Sequence, residues 1–162
     1  MTRKSSRRSL GTRSQARRLT AALAASALVA SGCGGSFKSD YSRSDSQLEK
    51  LGTDLSQTVR TTHPTDATLA SRFDGYAARA RKIESDLGKL TPPAKAKADL
   101  TKLRAALGVI AGDMSAAASA ARAHNPRGYN AAVLKLYTDA AQVRSPSGAI
   151  RQMEGIKRKG GG

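Results

Sequence analysis

Tryptophan is absent, cysteine occurs once, and four tyrosines and two phenylalanines are the only aromatic residues in the 162-residue chain. A single cysteine excludes an internal disulfide. So few rings leave nothing for a surface on which bases stack, and the scarcity of aromatic side chains does not suit a sheet core. With two histidines in all, no His-x-x-x-His zinc pair occurs. No glycine-rich loop follows a strand, because no strand pattern is present. Neither a catalytic triad nor an acid/base pair can be assembled, and the chain reads as a non-enzyme without a cofactor. Acidic residues are missing from the whole N-terminal part, where none precedes Asp40.

That last absence makes the overall charge of +16 misleading. Seven of the 28 basic residues (Arg3, Lys4, Arg7, Arg8, Arg13, Arg17 and Arg18) lie before Cys33, so residues 33–162 hold 21 basic against all 12 acidic residues, a net +9. Without aromatic interleaving this argues against nucleic acid as a partner. The basic stretch is followed by an uncharged apolar run, residues 19–31. The run has the length of a signal-peptide core and is too short to span a bilayer. It ends in Ala30, Ser31, Gly32 and Cys33.

These four residues resemble the lipobox of bacterial lipoproteins, Leu-Ala/Ser-Gly/Ala-Cys, with Ala30 where leucine is commonest. The resemblance covers about the first 35 residues. It implies that a diacylglycerol is attached to the Cys33 thiol, that a peptidase cuts before Cys33, and that the product sits lipid-anchored on the extracytoplasmic face of the cell membrane. Two acyl chains hold firmly where one holds marginally. The thiol would then be consumed, leaving no cysteine nucleophile or cysteine metal site. Residues 6–10, Ser-Arg-Arg-Ser-Leu, partly resemble a twin-arginine export motif. Gly11 departs from that pattern, and Arg17-Arg18 is a second pair, so the export route stays open.

Beyond the leader the pattern is helical. Leu48, Leu51, Leu55 and Val59 share one helix face, extended backwards by Phe37 and Tyr41. Ser44 with Gln47 has the form of a capping box and predicts a helix start near 45. His63-Pro64 is expected to end this helix. Leu69, Phe73, Tyr76, Ala80, Ile83, Leu87 and Leu90 follow at alternating steps of four and three, a heptad seam capped by Thr65 or Asp66. Thr91-Pro92-Pro93 stops that helix. Leu100, Leu103, Leu107, Ile110, Met114, Ala117 and Ala121 mark the third, and Asn125-Pro126 the start of the fourth, with Tyr129, Val133, Leu136, Ala140 and Val143. Residues 145–148, Ser-Pro-Ser-Gly, are expected to interrupt it, with a short helix over Ile150, Met153 and Ile156 beyond.

The predicted fold is all-α, an antiparallel up-down four-helix bundle with a disordered leader and tail. The expected divisions are 1–32 signal peptide, 33–43 lipidated cysteine and tether, 44–156 bundle, and 157–162 basic disordered tail. Glycines inside the helices imply modest stability or close crossings. Gly108-x-x-x-Gly112 has the form of a helix-pairing motif. Arg104, Asp113 and Arg122 on the same helix point to close packing within the bundle rather than in lipid.

Candidate sites are few. His63, His124 and Asp66 should meet at the pole away from the lipid, where a metal could bridge them, although turn histidines beside helix ends commonly do nothing more. At the opposite pole Lys89, Lys95, Lys97, Arg151, Lys157, Arg158 and Lys159 could contact anionic lipid or an envelope polymer, with Glu84, Asp86, Asp99 and Glu154 weakening the field. Tyr41, Tyr76, Tyr129 and Tyr137 could line a pocket, although Tyr76 and Tyr129 lie on core seams. The lipobox resemblance implies membrane anchoring, and with the helical pattern the expected function is a membrane-anchored, non-enzymatic helical binding or structural module with an unidentified protein partner. The alternative is a binder of a small apolar ligand or a metal, expected to show a void above about 300 Å³ lined by Leu55, Tyr76, Ile110 and Leu136.

Overall fold

The computed structural model describes residues 36–60 and 65–157. The leader, Cys33, His63, Pro64, Arg158 and Lys159 lie outside them. The described residues form four helices: α1 (Phe37–Arg60), α2 (Asp66–Gly88), α3 (Ala94–Arg122) and α4 (Pro126–Glu154). The protein is an all-α four-helix bundle. Cross-helix pairs fix the antiparallel order. Asp54 and Thr58 of α1 meet Arg79 and Tyr76 of α2. Asp74 and Arg81 of α2 meet Arg122 and Ser115 of α3. Lys95 and Asp113 of α3 meet Met153 and Lys135 of α4. In each pair of helices one number rises as the other falls.

Sequence determines the ends. The Thr65 side chain accepts from the Thr68 amide at 3.3 Å and caps α2. Asn125 Oδ1 accepts from the Gly128 amide at 2.9 Å, with Pro126 in the first turn of α4. Gly155, at φ +61°, closes α4, and the Ile156 amide reaches back to the Arg151 carbonyl at 2.9 Å. At the end of α3 the same left-handed position is held by His124, at φ +50°.

All seven residues of the α3 seam are buried, as are Phe73, Ala80, Ile83 and Leu87 of α2. α3 is the spine: α2 and α4 pack closely against it, whereas α1 meets α2 more loosely. Each fully buried Leu, Ile or Phe side chain contributes about 1.5–3 kcal/mol, so α2–α4 hold most of the apolar stabilisation. No helix among the described residues is long and apolar enough to cross a membrane.

Four expectations are corrected. α1 starts at Phe37, not near 45, and Tyr41 is fully buried, so residues 37–43 belong to the bundle rather than to a tether. Ser44 is not a cap; its hydroxyl donates to the Asp40 carbonyl inside the helix. α4 continues through Pro146, where a break was expected. Proline removes one helical hydrogen bond at a cost of about 3 kcal/mol. Burial of Pro146, Ser147 and Ile150, together with an ion pair at Arg151, offsets it. Gly108 and Gly112 are not a packing motif. Both are exposed, and a Cβ on Gly112 would meet nothing within 4 Å.

Candidate functional site

α1 is fastened to α4 at one end. Arg151 Nε donates to Asp45 Oδ1 and Oδ2 at 2.9 and 2.8 Å, and its Nη2 lies 2.8 Å from Asp45 Oδ1 and 3.3 Å from Glu49 Oε1. The hydrogen bonds to Asp45 hold the guanidinium above its ordinary pKa. Beside this pair the Tyr41 hydroxyl donates to the Ser147 carbonyl at 3.4 Å. Burial, then the Asp45 charge, pushes that hydroxyl well above the usual phenol range. Phe37 stacks on Tyr41 at 5.8 Å between centroids.

Beyond the clamp the two helices part. An apolar cleft of about 270 Å³ lies between them, floored by Leu107, Ile110 and Met114 of α3. Leu48, Leu51, Gly52 and Leu55 form the α1 wall, and Leu136, Tyr137, Ala140 and Val143 the α4 wall. This explains why Leu48 and Leu55 are only half-buried although they lie on the α1 seam. Tyr137 stands at the rim, 53% exposed. The clamp end is polar, with Glu49, Arg144, Ser147 and Arg151. Leu55, Ile110 and Leu136 are thus where an apolar binder would have them. Tyr76 is not, and the volume is slightly below the expected figure. Tyr76 instead faces α1, its hydroxyl 2.6 Å from Thr58 Oγ1 and donating to the Asp54 carbonyl at 3.2 Å. Its ring and that of Tyr129 meet Phe73 edge-on, at 6.1 and 5.7 Å.

At the other pole His124 Nδ1 lies 2.6 Å from Asp66 Oδ2, so two of the three candidate metal ligands meet. The third, His63, is outside the described residues. Among the described residues no three metal-ligating side chains cluster.

The basic pole is more neutral than its sequence suggests. Asp86 sits between Lys82 and Lys89, at 2.6 and 2.9 Å, and their hydrogen bonds hold its carboxyl down to about 2. Lys95 donates to the Met153 carbonyl. Lys97 and Lys157 are exposed. Arg151 must be withdrawn as a membrane-surface residue, because burial against Asp45 and Glu49 commits it to the clamp.

Sequence reasoning missed one further cluster. Lys135 bridges Asp113 and Asp139, each at 2.7 Å, which raises the lysine and lowers Asp139. Asp113 is buried, and its Oδ2 lacks a hydrogen-bond partner among the described residues. A charged residue on the otherwise small and apolar second half of α3 was the available signal. No family model, curated protein or solved structure matches this chain.

Proposed function

We propose that the protein is a lipid-anchored module of the bacterial cell envelope, held on the extracytoplasmic face through a diacylglycerol on Cys33, and that its helical domain binds rather than catalyses. The observation that carries this reading is the position of the only cysteine, at the end of the only signal-like segment and four residues before α1. Three residues, Gly34 to Ser36, separate it from the helix. Their reach of about 10 Å would keep the start of α1 near the membrane surface. The turn between α2 and α3 and the end of α4 share that pole, where Lys97 and Lys157 would face anionic headgroups or an envelope polymer.

The test is the intact mass of the protein isolated from its native membranes. A chain beginning at Cys33 and carrying a diacylglyceryl adduct is expected, and Cys33→Ala should shift the protein out of the membrane fraction. An unmodified thiol, or a leader still attached, overturns the reading. A second reading, binding of a small apolar molecule inside the bundle, is favoured by the α1/α4 cleft.

A further inference from the structure

We infer that the cleft between α1 and α4 is a binding site for a single-chain anionic amphiphile, a free fatty acid, whose carboxylate lies against Arg144 and whose chain runs down the cleft over Met114. This rests on reading the domain as a binding module but not on the tether.

Three observations converge. First, the cleft is apolar on both walls and floor, and its volume of about 270 Å³ falls near the lower end of small-molecule sites. That suits one extended chain better than a two-chain lipid or a folded partner. Second, its charged groups all lie at the clamp end, with Ser56 and Tyr137 the only polar side chains elsewhere along it, so the site is itself amphipathic. Third, the charges at that end are unequal in availability. Arg151 is occupied by Asp45 and Glu49, and Glu49 is in turn drawn to Arg151. Arg144 is exposed and has no ion-pair partner among the described residues. It is the cation left for a ligand carboxylate, and an arginine fork matches that shape.

Gly52 gives a clean way to block the site. It lines the cleft, and a Cβ built on it meets nothing within 4 Å. A leucine there has room at its Cβ and would extend into the cleft. Met114 gives a local reporter, because it is the only methionine in the floor, while Met153 lies outside the cleft.

The experiment titrates dodecanoate and, separately, dodecanol into the full-length Cys33→Ala chain labelled at its methionine methyls, read by NMR and calorimetry. Dodecanoate is expected to saturate at one per chain and to move the Met114 methyl resonance but not that of Met153. Arg144→Ala should weaken dodecanoate about tenfold while leaving dodecanol unchanged. Gly52→Leu should abolish both and keep a cooperative thermal transition. An unmoved Met114 signal, or undiminished uptake by Gly52→Leu, overturns the site. Equal loss of both probes in Arg144→Ala overturns the carboxylate assignment. Sedimentation showing that the free protein pairs through this face would instead make a second copy the occupant. Because the titrated chain carries no lipid, its outcome is separable from that of the mass measurement on Cys33.

Discussion

Arg151 and Asp45, 106 residues apart in the chain, form a well-buried ion pair that bolts α1 to α4, with side chains only 11% and 6% exposed. Removing one partner strands the other charge in a site built for two. Arg151→Met should cost about 3 kcal/mol in urea unfolding. The Asp45→Leu/Arg151→Met double variant should recover most of that loss, since the cost lies in the unpaired charge. A double variant as unstable as the single one would contradict this.

Gly75 and Gly112 are exposed inside helices, and a Cβ at either meets nothing within 4 Å. Alanine should therefore recover helix propensity without a clash. Each substitution is expected to add about 1 kcal/mol, or about 4 °C in Tm, and the two should be additive because they touch no common partner.

His124 occupies a left-handed position that is usually glycine. Its amide and that of Asn125 donate to the carbonyls of Ala121 and Ala120, at 3.0 and 2.9 Å, completing a Schellman turn. His124→Gly should stabilise by about 0.5–1 kcal/mol, the relief of backbone strain exceeding the loss of the exposed pair with Asp66. His124→Val should destabilise. Thermal melts of the two variants should move in opposite directions.

Hydrogen bonds from Arg79, from Lys82 and Lys89, and from Lys135 lower Asp54, Asp86 and Asp139 respectively. Below the ordinary value of 3.8 the unfolded chain binds more protons than the folded one, so stability falls with falling pH. The contribution is fully present above that value and, for Asp86, is lost as pH drops through about 2. Melts across this window should show a falling Tm, and added salt should flatten the dependence because these pairs lie at the surface.

The two central helices were legible from sequence because their apolar steps never break: Phe73, Ala80, Ile83 and Leu87 of α2 and Leu100 to Ala121 of the α3 seam are buried as the pattern requires, with Tyr76 half-buried. The caps at Thr65 and Asn125 were legible for a similarly local reason. What escaped depended on distant residues. Nothing near Arg151 signals Asp45, so its position among other basic residues suggested a surface role. Pro146 looked like a break because local propensity opposes a helix there, and only burial against the rest of the bundle overrides it. Leu48 and Leu55 carry the helical period correctly, but period alone does not say whether the facing helix closes over them.

The looseness of α1 has a mechanical consequence. Any tension transmitted through the chain ahead of Phe37 enters the domain by its least well-seated helix. The load meets the Tyr41 ring first and the Asp45–Arg151 bolt about two turns in. Past that bolt α1 is held by buried Leu51 and by the bonds of Asp54 and Thr58 to α2, while Leu48 and Leu55 stay half-covered. Under load α1 should give way in stages, bolt first and α2 contacts after, before the α2–α4 hairpins open.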